Sequence, residues 1–149
     1  MSQERLAEYL INSQAFITEA KKLDSKTSVV APNENEWSPA FVLHHLADAE
    51  MHFLIRYFNA LTIEKPTITP FDEDVYPSTL NYAGRDWVNS LALIESISKL
   101  VQATLSSLSK GQWERVSLHP QAGEISLTSL ISKASNHISA HTEQLKQGL

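Results

Sequence analysis

Apolar side chains recur at three- and four-residue intervals over four long stretches of the chain, and between those stretches the periodicity stops. In the first, Gln3 to Lys22, Leu6, Leu10, Ile11 and Ile17 fall on one side with charges opposite, which predicts an amphipathic helix. Leu23 to Glu36 has no period. Ser38-Pro39 then marks a helix start, because serine accepts from free amides and proline in the first turn gives up no hydrogen bond. This second helix is predicted to reach Leu61, with Val42, Leu46, Ala49 and Phe53 toward the core.

From Thr62 to Asn81 three prolines, Pro66, Pro70 and Pro77, break any helix, and Asp72, Glu73 and Asp74 cluster. The segment reads as a long extended crossover, of a length that often serves as a lid or wall. A third helix is predicted from Gly84 to Leu108, with Trp87, Leu91, Ile94, Val101, Leu105 and Leu108 at near-heptad spacing and Gly111 as its stop. Gln112 to Ile125 should be irregular, with room for a short extended piece. Ser126 caps a fourth helix ending near Gln147. The expected fold is all-α, a single-domain four-helix bundle over residues 1–149 with a long crossover loop between helices 2 and 3.

Composition narrows what such a bundle does. The length suits one core without disulfides, and the absence of cysteine removes thiolate zinc sites and a cysteine nucleophile. Seventeen acids against twelve bases give a net charge of -5, with no basic run, which argues against nucleic-acid binding. No stretch approaches the roughly 18 apolar residues of a membrane span, and the start lacks the character of a signal peptide. A soluble, cytoplasmic protein is the expectation.

Two histidine pairs concentrate the chemistry. At 100° per residue the last helix sets Leu127, Leu130, Ile131, Ala134, His137, Ile138, His141, Gln144 and Leu145 within an arc of about 140°. His137 and His141 thus share the inner face one turn apart, a spacing that lets two imidazoles meet one metal or, as the plainer reading, hydrogen-bond to neighbouring helices. On the second helix His45 lies at the edge of the apolar stripe, beside a polar strip of Asp48, His52 and Arg56; His44 points about 100° away and is the weaker ligand candidate. Three imidazoles around a divalent ion leave positions open for water or substrate, including a thiolate.

The segment Glu36-Trp37-Ser38-Pro39 through His44-His45-Leu46-Ala47-Asp48-Ala49-Glu50 to Ile55-Arg56 resembles the second helix of the DinB/YfiT-like metalloenzyme superfamily. Thr69-Pro70-Phe71-Asp72-Glu73, His119-Pro120 with Gly123-Glu124, and His137-x-x-x-His141-x-x-Gln144 extend the likeness over nearly the whole chain. The resemblance implies that His45, His137 and His141 are metal ligands, that the ion is nickel or zinc, that the bundle has unusual connectivity and that the protein forms a homodimer. It implies a metal-dependent hydrolase, or, by other branches, a transferase using low-molecular-weight thiols; the family name warrants no inference about DNA. Departures occur around the last pair, where Asn136, Ile138, Ser139 and Ala140 replace the aromatic residue and extra histidines of members close to YfiT.

The remaining roles stay open. Asp48 or Glu50 on the second helix and Asp72 or Glu73 on the crossover are the carboxylates available as general base. Gln144 can hydrogen-bond a ligand or bound water, and Arg56 can bind an anionic substrate or pair with an acid. His119, before proline, can cap a turn or approach the pocket, with the turn the expected role, and Trp37 is expected to staple the helix start against the bundle. A hydrolase of a small molecule, a thiol S-transferase and a non-catalytic metal-binding or interaction bundle are the three classes left.

Overall fold

The computed structural model describes residues 2–148. Four long helices dominate: α1 (Ser2–Ala20), α2 (Pro39–Thr62), α4 (Trp87–Leu105) and α6 (Leu127–Gly148). The crossover between α2 and α4 holds a short helix α3 (Tyr76–Thr79) and a 3₁₀ turn (Tyr82–Gly84); a second short helix α5 (Lys110–Trp113) precedes the strands β1 (Val116–His119) and β2 (Gly123–Ser126). The four-helix bundle expected from the periodicity is present.

Local chemistry explains most boundaries. Ser38 Oγ accepts from Phe41 N at 3.3 Å and starts α2, and Ser126 Oγ accepts from Ser129 N at 3.1 Å at the start of α6. The other end of α2 is closed from a distance: Arg115 Nε donates to Ala60 O and its Nη2 to Ile63 O at 2.9 Å, satisfying carbonyls that the helix leaves free.

Several expectations change. α4 starts at Trp87 behind an Asp86 cap, whose carboxylate accepts from Val88 N at 2.9 Å, and it ends at Leu105. Gly111 does not stop it but lies inside α5, which Ser109 and Gln112 close with a reciprocal capping box. Pro77 does not exclude a helix, because it sits in the first turn of α3 where its missing N–H has no partner to lose. Within residues 112–125 the short extended piece allowed for is a two-stranded hairpin: β1 and β2 pair antiparallel from Val116↔Ser126 to His119↔Gly123, and Thr67 of the crossover bridges Leu118. The hairpin turns at Gly123, whose φ of +76° suits glycine, and His119 Nδ1 accepts from the amides of Gln121 and Ala122, the turn-capping role expected of it.

α1 packs on α6 and α4, and α2 packs on the same two helices, so the consecutive helices α1 and α2 face each other across the bundle. Tyr9, Phe16, Leu43, Leu46, Tyr57, Leu105, Leu127 and Ile131 fill the space between, each stabilising the fold by about 1.5–3 kcal/mol through burial. Ile11 is not part of this face: it is 68% exposed, and Tyr9, Ser13 and Phe16 take the inner positions of α1. Across the diagonal the Tyr9 hydroxyl donates to Glu50 Oε2 at 2.6 Å.

Candidate metal centre

The buried first half of α2 and the inner face of α6 bring three imidazoles to one point. His45 Nε2 and His137 Nε2 are 3.0 Å apart, as are His141 Nε2 and His137 Nε2, and all three nitrogens lie within 4.8 Å of one another. The rings stand edge to face, with centroids separated by 4.5 to 5.0 Å. A tetrahedral ion bound at about 2.0–2.1 Å needs neighbouring nitrogens roughly 3.3 Å apart, so the observed spacing fits a divalent metal with small adjustment.

Electrostatics agree with that use. Burial pushes the His45 pKa down to about 4, helped by the neighbouring His141, and the His137 pKa to about 3, helped by His141 and His45. Burial also lowers His141, opposed by its bond to Gln144. Neutral imidazoles, the form that binds metals, are therefore the state of this cluster at neutral pH. Gln144 Oε1 lies 2.7 Å from His141 Nδ1. Accepting there, it fixes the proton on Nδ1 and leaves the Nε2 lone pair facing the cluster. His137 Nδ1, by contrast, is buried without a partner.

Two residues complete the walls. Glu73, on the exposed crossover, brings Oε2 to 3.4 Å from His45 Nε2. The Trp37 ring packs at 5.1 Å from the His45 imidazole, so beyond its place at the helix start it shields one side of the cluster.

The rest of the polar strip on α2 divides into separate tasks. Asp48 is 3% exposed and fully engaged: Arg85 donates to both its oxygens at 2.8 Å, and the Tyr82 hydroxyl donates to Oδ2 at 2.7 Å. His52 Nε2 lies 2.8 Å from the Tyr76 hydroxyl and its ring stacks on Phe71 at 4.2 Å, so the crossover is anchored on either side of Glu73. Arg56 donates to Thr69 O at 3.3 Å. His44 is wholly buried, its Nδ1 2.8 Å from Ser90 Oγ, and stands apart from the cluster. Glu50 is committed to the core. Arg85 and Tyr82, which hold Asp48, lie in the turn before α4, where no periodic pattern marks them.

The DinB superfamily model matches residues 12–145, and the chain belongs to that superfamily. The relatives it matches include proteins named "putative metal-dependent hydrolase". YfiT of Bacillus subtilis is 33% identical over 115 residues, covering 74% of this chain and 65% of YfiT; a protein of Oceanobacillus iheyensis is 38% identical over 91 residues, covering 61% of this chain and 52% of its own. The chain thus spans about half to two thirds of the length of these relatives. Among solved structures, that of B. subtilis YfiT, described as a probable metal-dependent hydrolase with an unusual four-helix bundle topology, superposes with a TM-score of 0.84 at 25% identity, covering 98% of this chain and 86% of that one. A mycothiol-dependent maleylpyruvate isomerase superposes with a TM-score of 0.79 at 14% identity over 97% of this chain and 60% of the isomerase, a likeness of fold. No helix among the described residues is long and apolar enough to cross a membrane.

Proposed function

We propose that this chain is a metal-dependent hydrolase of a small electrophilic substrate, with His45, His137 and His141 as the holders of a nickel or zinc ion. The observation that carries the reading is the convergence of three neutral imidazole nitrogens beside a carboxylate: Nε2 atoms 3.0 Å apart, with Glu73 Oε2 3.4 Å from one of them. When bound, such an ion supplies Lewis acidity that makes a water or a thiol nucleophilic near neutral pH.

The chain's own residues supply the rest. Glu73 is the general base of this reading, since its carboxylate can take the nucleophile's proton at Oε2, a step that contributes about 10²–10⁴-fold in rate. Gln144 orients His141, and Trp37 excludes water from the His45 side. Asp48 is a positioning residue: its bonds to Arg85 and Tyr82 tie the ligand-bearing part of α2 to the turn before α4.

A thiol S-transferase is the second reading, favoured by the same Glu73 geometry, which serves a thiol proton as well as one of water, and by the fold shared with a mycothiol-dependent enzyme. The proposal includes a homodimer, as the family resemblance implies, and a cytoplasmic site of action.

The test is elemental analysis of protein purified without a histidine tag, followed by a screen of small esters and amides with and without a low-molecular-weight thiol. About one equivalent of nickel or zinc and turnover that His141→Ala abolishes support the hydrolase. Conjugate formation that needs the thiol moves the assignment to the transferase. Protein that holds no stoichiometric metal at micromolar concentrations leaves only a non-catalytic bundle.

A further inference from the structure

Each member of the polar strip on α2 holds a different point of the crossover. Arg56 donates to Thr69 O, His52 takes Phe71 and Tyr76, His45 meets Glu73, and Asp48 binds Tyr82 and Arg85. The strip is the bed on which residues 69–81 lie.

The ends of that segment are fixed far more firmly than its middle. At one end the chain runs along β1, where Leu118 N donates to Pro66 O and Ile68 N to Leu118 O, both at 2.8 Å, and Lys65 pairs with Glu124. At the other, the buried Asp48 carboxylate takes the Tyr82 hydroxyl and two Arg85 donors. Between Ile68 and Tyr82 no residue is buried, and the backbone–backbone hydrogen bonds of residues 69–80 close within the segment itself. Such a stretch opens at low cost, because little apolar surface is uncovered. Its middle is fastened by His52, whose ring stacks on Phe71 at 4.2 Å and 9° and whose Nε2 lies 2.8 Å from the Tyr76 hydroxyl. At a half-exposed seam water readily replaces that bond.

Beneath the middle lies the histidine cluster. The His45 side chain is 2% exposed, between Trp37 on one side and Glu73 on the other, so a solute reaches its Nε2 only when a cover moves. Trp37 packs against the core, whereas Glu73 rides on the segment that has no buried anchor.

We propose that residues 69–81 are a lid over the three histidines, swinging between fixed ends at Ile68 and Tyr82, and that His52 is its catch. His52 is thereby a positioning residue, returning Glu73 to the cluster at each closure. What the lid admits rests on the metal-centre reading, but its movement does not.

The experiment follows acylation of His45 by diethyl pyrocarbonate in metal-free protein at neutral pH, using mass spectrometry. His44, wholly buried and apart from the cluster, is the internal control, resolved by fragmentation. His52→Ala removes both fastenings and should speed His45 acylation at least about fivefold, with an unchanged circular dichroism spectrum; Tyr76→Phe removes only the hydroxyl and should speed it about twofold. His44 should stay unmodified throughout. In zinc-loaded protein His52→Ala should raise the rates of zinc capture and of release to a chelator by one common factor and leave the Kd unchanged, since a lid slows both directions alike. The proposal is overturned if His45 in His52→Ala reacts at the wild-type rate, if His44 gains reactivity along with it, or if the zinc Kd changes in place of the two rates. Wild type that takes up no zinc overturns the metal centre instead, and the acylation rates then decide the lid.

Discussion

Glu73 Oε2 stands 3.4 Å from His45 Nε2, although one residue is carried on an exposed crossover and the other is buried in the bundle. Of the three consecutive acids there, this one is brought to the cluster because Phe71 and Tyr76 on either side are held by His52. Glu73→Gln keeps the shape and removes the proposed base. Turnover of whichever substrate the screen yields should fall about 10²-fold while metal content stays near one equivalent, since three imidazoles suffice for the ion. Loss of metal with the variant would make Glu73 a ligand instead of a base.

His137 touches both other imidazoles, so under the proposed function it governs the ion most directly. In wild type, zinc or nickel at 100 times its Kd should stabilise the fold by about 2.7 kcal/mol, read as a rise in Tm. His137→Ala should abolish that rise and leave the metal-free protein within about 1 kcal/mol of wild type, because the substitution also removes a buried Nδ1 that has no partner. A variant that still gains the full Tm increment on adding metal would show that the ion sits elsewhere.

What was legible in the chain follows from how local each signal is. The inner arc of the last helix is set by 100° steps alone, so His137, His141 and Gln144 could be placed together before any tertiary contact was known. Serine caps at Ser38 and Ser126 are equally local. The hairpin was not, because its strands have four residues each and a third partner, Thr67, comes from another part of the chain. α3 was hidden by Pro77, which breaks helices except in a first turn. The bonds of Asp48 to Tyr82 and Arg85 were invisible, and Glu73 could not be singled out from Asp72, because these groups sit in turns and loops, where residue spacing carries no information on direction. Ile11 shows the converse, a residue counted with the apolar side of α1 whose neighbours Tyr9 and Ser13 define the true inner face.

Asp48 is the tie between α2 and the turn before α4. Asp48→Asn removes the charge that balances Arg85 and one of its paired acceptors. Because Arg85 is about a quarter exposed and can regain water, the cost should be about 1–3 kcal/mol, less than for a wholly buried pair. Urea unfolding should show this as a lower midpoint with an unchanged slope. Asp48→Asn combined with Arg85→Gln should cost less than the sum of the two single changes, which is the signature of direct coupling.

Glu50 gives the protein its clearest pH dependence away from the metal centre. Burial raises its pKa from the ordinary 4.5 to about 7 in the folded state, and the bond from the Tyr9 hydroxyl only partly offsets this. Between those values the folded state holds a proton that the unfolded chain has released, so stability falls as pH rises through the window and levels off above it. Glu50→Gln cannot ionise and still accepts from Tyr9 through its amide oxygen. Its Tm relative to wild type should therefore climb between pH 4.5 and 7 and stay constant above, and a difference that is flat across that range would mean Glu50 is ionised in the core throughout.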